Sequence, residues 1–164
     1  MRTTILFIPA ILVAGCGSDA SGTFETDGGE EGSYSIDQDG GEMTARITSD
    51  DGTAIIRSGD GVSVDLPDGY SMYPGASIVS STTMSGGSTN GSMILFESDA
   101  SPEDLIAHFR KQAEADGIEI KMEMTTGAGQ ILSGEGSGGR IFSITVNNDS
   151  GKSTGNLLVG RDGE

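Results

Sequence analysis

The chain has 164 residues, and its 25 Asp and Glu against nine Lys and Arg give a formal charge of −16. Such a surface repels nucleic acid and anionic membranes, which argues against a DNA or RNA role. Glycine is abundant at 27 residues and proline scarce at four, which argues against a Pro-rich stalk and for short strands split by turns.

Met1-Arg2, the apolar run from Ile5 to Val13 and the small pair Ala14-Gly15 follow the order of a secretory leader. A helix over that run reaches about 14 Å, against a hydrocarbon core of about 30 Å, so it is too short to span. The run stops at Cys16, the one cysteine in the chain, and no intramolecular disulfide can form. Val13-Ala14-Gly15-Cys16 resembles the lipobox of bacterial lipoproteins, with Val13 where Leu is commonest. The resemblance implies that residues 1–15 are a signal peptide cut before Cys16. It also implies a diacylglyceryl group on the Cys16 sulfur and, usually, an acylated amino group. One myristoyl-sized chain binds membranes marginally, whereas two or more anchor stably at about 0.8 kcal/mol per buried CH₂. Gly17, rather than Asp, follows Cys16. In such lipoproteins this favours the outer membrane, facing the periplasm.

Residues 16–32 are polar apart from Phe24 and read as a flexible tether. Residues 33–68 carry four short alternating patches, "SYSID", "EMTARIT", "TAIIRS" and "VSVDL", split by Asp-Gly turns. That pattern predicts an acidic antiparallel meander, too short-stranded to stand alone. In residues 69–164, Tyr73-Pro74-Gly75-Ala76 suits a type II turn. A hairpin with Asn90-Gly91 in its connection follows. "SPEDLIAHFRKQAEADG" then predicts a helix: Ser101 at the N-cap, Pro102 at the first position, Asp104 as capping partner and Gly117 just past the end. Leu105, Ile106, Phe109 and Ala113 share its apolar face. "IEIKMEM" alternates Ile118, Ile120, Met122 and Met124 as one buried face. Three more strand-like runs complete the order β-β-α-β-β-β-β. The expected fold is α+β: an antiparallel sheet with one helix packed on a face, preceded by the acidic meander. Residues 69–125, from the Tyr-Pro-Gly-Ala turn through the "Ser-Pro-Glu" helix into its alternating strand, resemble small uncharacterised bacterial envelope domains. That resemblance brings no known activity.

Motifs for chemistry fail on spacing. Gly151-Lys152-Ser153 ends like a phosphate-binding loop, but Val146 stands where a Gly is required, and a strand, not a helix, is expected next. Gly151-Lys152-Ser153-Thr154-Gly155 matches a nucleophile elbow without the downstream Asp and His. His108, the only histidine, reads as a solvated helix residue within reach of Asp104, and one His builds no zinc site. Asp37, Asp39 and Glu42, with Asp50 and Asp51, could be offered to calcium, but the register of a calcium loop breaks and Asp-Gly turns explain them. Asn90 and Asn148 head glycosylation sequons in expected loops. Met72, Met84, Met93, Met122 and Met124 read as sheet core, and Tyr70, Met72 and Tyr73 as packing across a junction.

Cys16 is thus the one site residue assigned, and no catalytic residue, metal or cofactor is assigned. The expected function is a non-catalytic binding or scaffolding domain held at the envelope. The alternative is a carrier of a small apolar ligand or lipid, with a pocket between sheet and helix. The expected partners are the membrane, through lipid on Cys16, and an envelope protein or small apolar ligand.

Overall fold

The computed structural model describes residues 19–25, 29–59, 62–86, 89–127 and 129–162. The leader, the lipobox and Cys16 lie outside the described residues. Six strands precede the helix: β1 (Ala20–Glu25), β2 (Glu31–Asp39), β3 (Glu42–Ser49), β4 (Gly52–Gly59), β5 (Ser77–Ser85) and β6 (Thr89–Ser98). Helix α1 (Pro102–Ala115) follows, then β7 (Ile118–Thr125), β8 (Gly129–Gly136), β9 (Arg140–Asp149) and β10 (Lys152–Asp162). All join one antiparallel sheet in the order β1-β2-β3-β4-β5-β6-β10-β9-β8-β7. The first six strands are a meander. The helix carries the chain to the far edge, from which β7 to β10 step back until β10 meets β6. One helix on an antiparallel sheet is the α+β architecture expected.

Two segments differ from the sequence reading. Ala20–Glu25, read as tether, is strand β1, paired along its length with β2. The reason is cross-strand packing: the Phe24 ring lies on Gly32 and the Tyr34 ring on Gly22, where a Cβ would overlap them. The "VSVDL" patch, read as a strand, runs extended but joins no sheet. Its Val62 is buried and Val64 and Leu66 pack against the core, so its alternation reflects contact with the sheet's face instead of an edge.

The helix forms as its caps dictate. Ser101 Oγ accepts from the Asp104 N–H at 3.2 Å and donates to the Asp104 carboxylate at 2.8 Å. Gly117, at φ +76°, closes the far end. Leu105, Ile106, Phe109 and Ala113 are buried against β7, β8 and β9. Phe96 from β6 meets Phe109 with ring centroids 5.7 Å apart. The Phe96 ring also lies flat on Gly155 of β10, the space a side chain there would take. Phe142, Ile144 and Val146 of β9, Leu132 of β8 and Leu157 of β10 complete the core.

Strand β7 departs from its sequence pattern. A bulge between Ile120 and Met122 shifts the register, so Ile118 and Ile120 face the helix while Met122 and Met124 face the other way. Both methionines are 44 % exposed. Glu123 turns to the helix side and pairs with Arg110 of α1. Met93 is likewise 40 % exposed on the sheet's outer face, so these methionines are not the core they were read as.

Candidate functional site

Residues 62–76 form a strap across the helix side of the sheet. Ser92 Oγ donates to the Asp65 carbonyl at 2.5 Å, and Arg57 pairs with the Asp65 carboxylate at 3.2 Å. Farther along, the Gln112 side chain of α1 accepts from the Ser71 N–H at 2.6 Å and donates to the Ser71 carbonyl at 3.1 Å. The His108 Nε2 lies 3.1 Å from the same carbonyl and beside the Gln112 amide nitrogen, and the Tyr73 ring meets the imidazole edge-on at 5.3 Å. His108 is therefore neither solvated nor paired with Asp104. It is half-buried and fastens the strap to the helix. The turn at Pro74-Gly75 forms as expected, with the Ala76 N–H 3.0 Å from the Tyr73 carbonyl and Gly75 at φ +83°.

Between the strap, the last turn of α1 and the neighbouring ends of β5, β6, β9 and β10 lies a cleft of about 620 Å³. Leu66, Pro67 and Val159 supply apolar surface, and the backbone at Met84, Gly91 and Gly160 borders the cleft. Those two glycines are register partners, and a Cβ on either would sit within 3 Å of the opposite backbone. Arg140 and Arg161 stand at one end. They are direct cross-strand partners, both on the helix side of the sheet by the alternation that buries Phe142 and Val159. Arg140 is held by Asp116 Oδ1 at 3.0 Å, by the Ser137 carbonyl and by Ser137 Oγ. Arg161 has no hydrogen-bond or ion-pair partner among the described residues. Gly117 leaves the room that Arg140 occupies, since a Cβ there would meet Nη2 at 3.3 Å.

Behind the cleft, Tyr70 stacks on Phe142 with centroids 6.2 Å apart. Burial, and then the Asp116 carboxylate, push its phenol up to about 12, against the opposing pull of Arg140. Its hydroxyl is buried without a hydrogen-bond partner, as is that of Thr83 on the cleft wall. A volume of this size, lined by apolar and polar side chains together, suits a small-molecule site. The pocket expected between sheet and helix is a different space, and Phe96, Phe109 and Leu105 fill it, each with no exposed surface.

The motifs weighed from sequence fall elsewhere. Ser153 is fully buried. Its hydroxyl donates to the Ala100 carbonyl at 2.7 Å and accepts from Asn148 at 3.1 Å, which ties β10 to the helix approach. Lys152 opens a strand and pairs with Glu97 at 2.6 Å. Asn90 and Asn148 lie in strands β6 and β9, not loops. Asp37, Asp39 and Glu42 share a hollow of about 210 Å³ with Thr44. Among the described residues no group of three or more His, Cys, Asp or Glu side chains is placed to hold a metal ion. The sequence reading missed Leu66 as a cleft residue, and Asp116, Arg140 and Arg161 altogether. The two arginines are far apart in sequence, and nothing local marks them as partners.

Residues 78–155, from β5 into the start of β10, match a family model described as START domain-like. No curated protein and no solved structure matches the chain. The matched span holds Thr83, Met84, Gly91, Asp116 and Arg140 of the cleft, while Leu66, Val159 and Arg161 lie beyond it.

Proposed function

We propose that this chain is a non-catalytic ligand-binding domain that takes a small, mainly apolar molecule into the cleft beside the helix end. The observation that carries the reading is the cleft itself: about 620 Å³, with apolar surface from Leu66, Pro67 and Val159 set among polar side chains of the strap and the sheet, and two arginines at one end. The START domain-like match is compatible with ligand binding and supports it. The residues weighed for nucleophilic chemistry are absorbed elsewhere, Ser153 in a buried hydrogen-bond relay and His108 in holding the strap. Calorimetric titration of the full chain with 1-dodecanol tests this. One equivalent bound, weakened at least tenfold by Leu66→Trp, is expected; no binding overturns it.

The same domain is proposed to work at the envelope, as a lipoprotein anchored through Cys16. Support comes from the leader and lipobox alone. If β1 begins at Ala20, at most about 14 Å of chain separates it from the Cys16 Cα, so the β1 edge of the sheet sits close to the bilayer. Labelled palmitate supplied to cells is expected to enter the wild-type protein and not Cys16→Ser. Equal labelling of both, or of neither, contradicts the anchor.

A further inference from the structure

We infer that the ligand of the cleft is an anionic amphiphile, with its acidic head between Arg140 and Arg161 and its chain along Leu66 and Val159. This rests on the cleft as the binding site and adds the chemical class of what enters it. The inference begins from an energetic oddity. Two arginines stand directly opposite each other on neighbouring antiparallel strands. Like charges so placed destabilise a sheet pair. The chain has 25 carboxylates and nine basic side chains, so it has ample means to neutralise both. It neutralises only one. Asp116 faces Arg140 at 3.0 Å, and Arg161 stays without a partner among the described residues.

The other charges of the cleft point the same way. Asp65 is engaged by Arg57 at 3.2 Å, and Asp116 by Arg140. Asp68 stands on the strap, the wall made by residues 62–76, whereas both arginines lie on the sheet at β9 and β10. The cleft's lining thus sets Arg140 and Arg161 against Asp65, Asp68 and Asp116, of which Asp65 and Asp116 are already engaged, and Arg161 is the basic group left without a carboxylate partner among the described residues. Guanidinium groups bind carboxylate and phosphate oxygens in a forked, charge-assisted geometry, which one lysine could not supply. Arg140 is already oriented by Ser137 and Asp116, so little rotamer freedom is lost at that side. Arg161, unheld, closes on the head from the other strand. The lining leading away from the pair sets Leu66, Pro67 and Val159 among hydroxyl and amide side chains, and the hydroxyl of Thr83 lies on it unpaired.

Carboxylate and phosphate heads share this chemistry, and the experiment separates them. The full chain is titrated with dodecanoate, dodecyl phosphate, 1-dodecanol and dodecyltrimethylammonium below their critical micelle concentrations. One or both anions are expected to bind at least tenfold more tightly than dodecanol, and the cation more weakly than dodecanol. Arg161→Gln is expected to remove the advantage of the anions over dodecanol, with an unchanged far-ultraviolet circular dichroism spectrum and urea midpoint showing that the variant folds. Raising salt is expected to weaken the anions and spare the alcohol. The preferred anion names the head. Equal affinity for dodecanol and both anions, or an anion preference that survives Arg161→Gln, overturns the inference while leaving the cleft as a site. Binding of none of the four removes both.

Discussion

Tyr70 is 8 % exposed, and its hydroxyl finds no hydrogen-bond partner among the described residues. At neutral pH the unfolded chain hydrates that hydroxyl, whereas in the folded chain only the neighbouring Asp116 carboxylate interacts with it, outside hydrogen-bond geometry, so Tyr70→Phe is expected to change stability by no more than about 1 kcal/mol. The situation changes in alkali. The phenol ionises near 10 in an unfolded chain but at about 12 when folded. Below pH 10 both states keep the proton and this group adds no pH dependence. Between about 10 and 12 the unfolded state loses its proton while the folded state holds it, so stability falls as pH rises. Urea midpoints of the wild type are therefore expected to drop more steeply between pH 9 and 11 than those of Tyr70→Phe. Parallel slopes would show that the phenol is not held in the buried setting described. The same residue explains part of what sequence could not reveal: a tyrosine beside a Pro-Gly turn reads as junction packing, while the Asp116 carboxylate that raises its pKa is 46 positions away.

The helix was legible because its signals are local: Ser101, Pro102, Asp104 and Gly117 each act within one turn, and the buried face follows the 3.6-residue period. The alternating strands β2, β3 and β4 were legible for the same reason. The bulge in β7 was not, since "IEIKMEM" alternates perfectly and only pairing with β8 decides where the register breaks. The strap was not either; its holding bonds to Gln112 and His108 span 41 and 37 positions. The bulge makes a sharp prediction. Met124→Lys is expected to change stability by no more than about 0.5 kcal/mol, since the side chain is on the outer face. Had the alternation continued unbroken, Met124 would lie under the helix, and a buried lysine would cost several kcal/mol. Chemical denaturation of the two proteins distinguishes these registers.

At the scale of the whole molecule, the sheet separates its chemistry by face. In the core half, the helix side takes Phe96, Phe142 and Leu157, while Met93 and Met124 look outward. In β2 and β3, the helix side takes Asp37, Asp39, Glu42 and Arg46, opposite the outward Tyr34, Met43 and Ile47. One continuous sheet thus presents an acidic surface beside the strap and an apolar one behind it. The cleft opens where the strap, the end of the helix and the ends of four strands meet, which no single segment encodes. Its position is the central claim, and mapping backbone amide shifts by nuclear magnetic resonance while 1-dodecanol is added tests it most directly. Shifts concentrated at Leu66, Thr83, Gly91 and Val159 are predicted. Shifts confined to outward residues such as Met93 and Met124, or none at saturating alcohol, would contradict it.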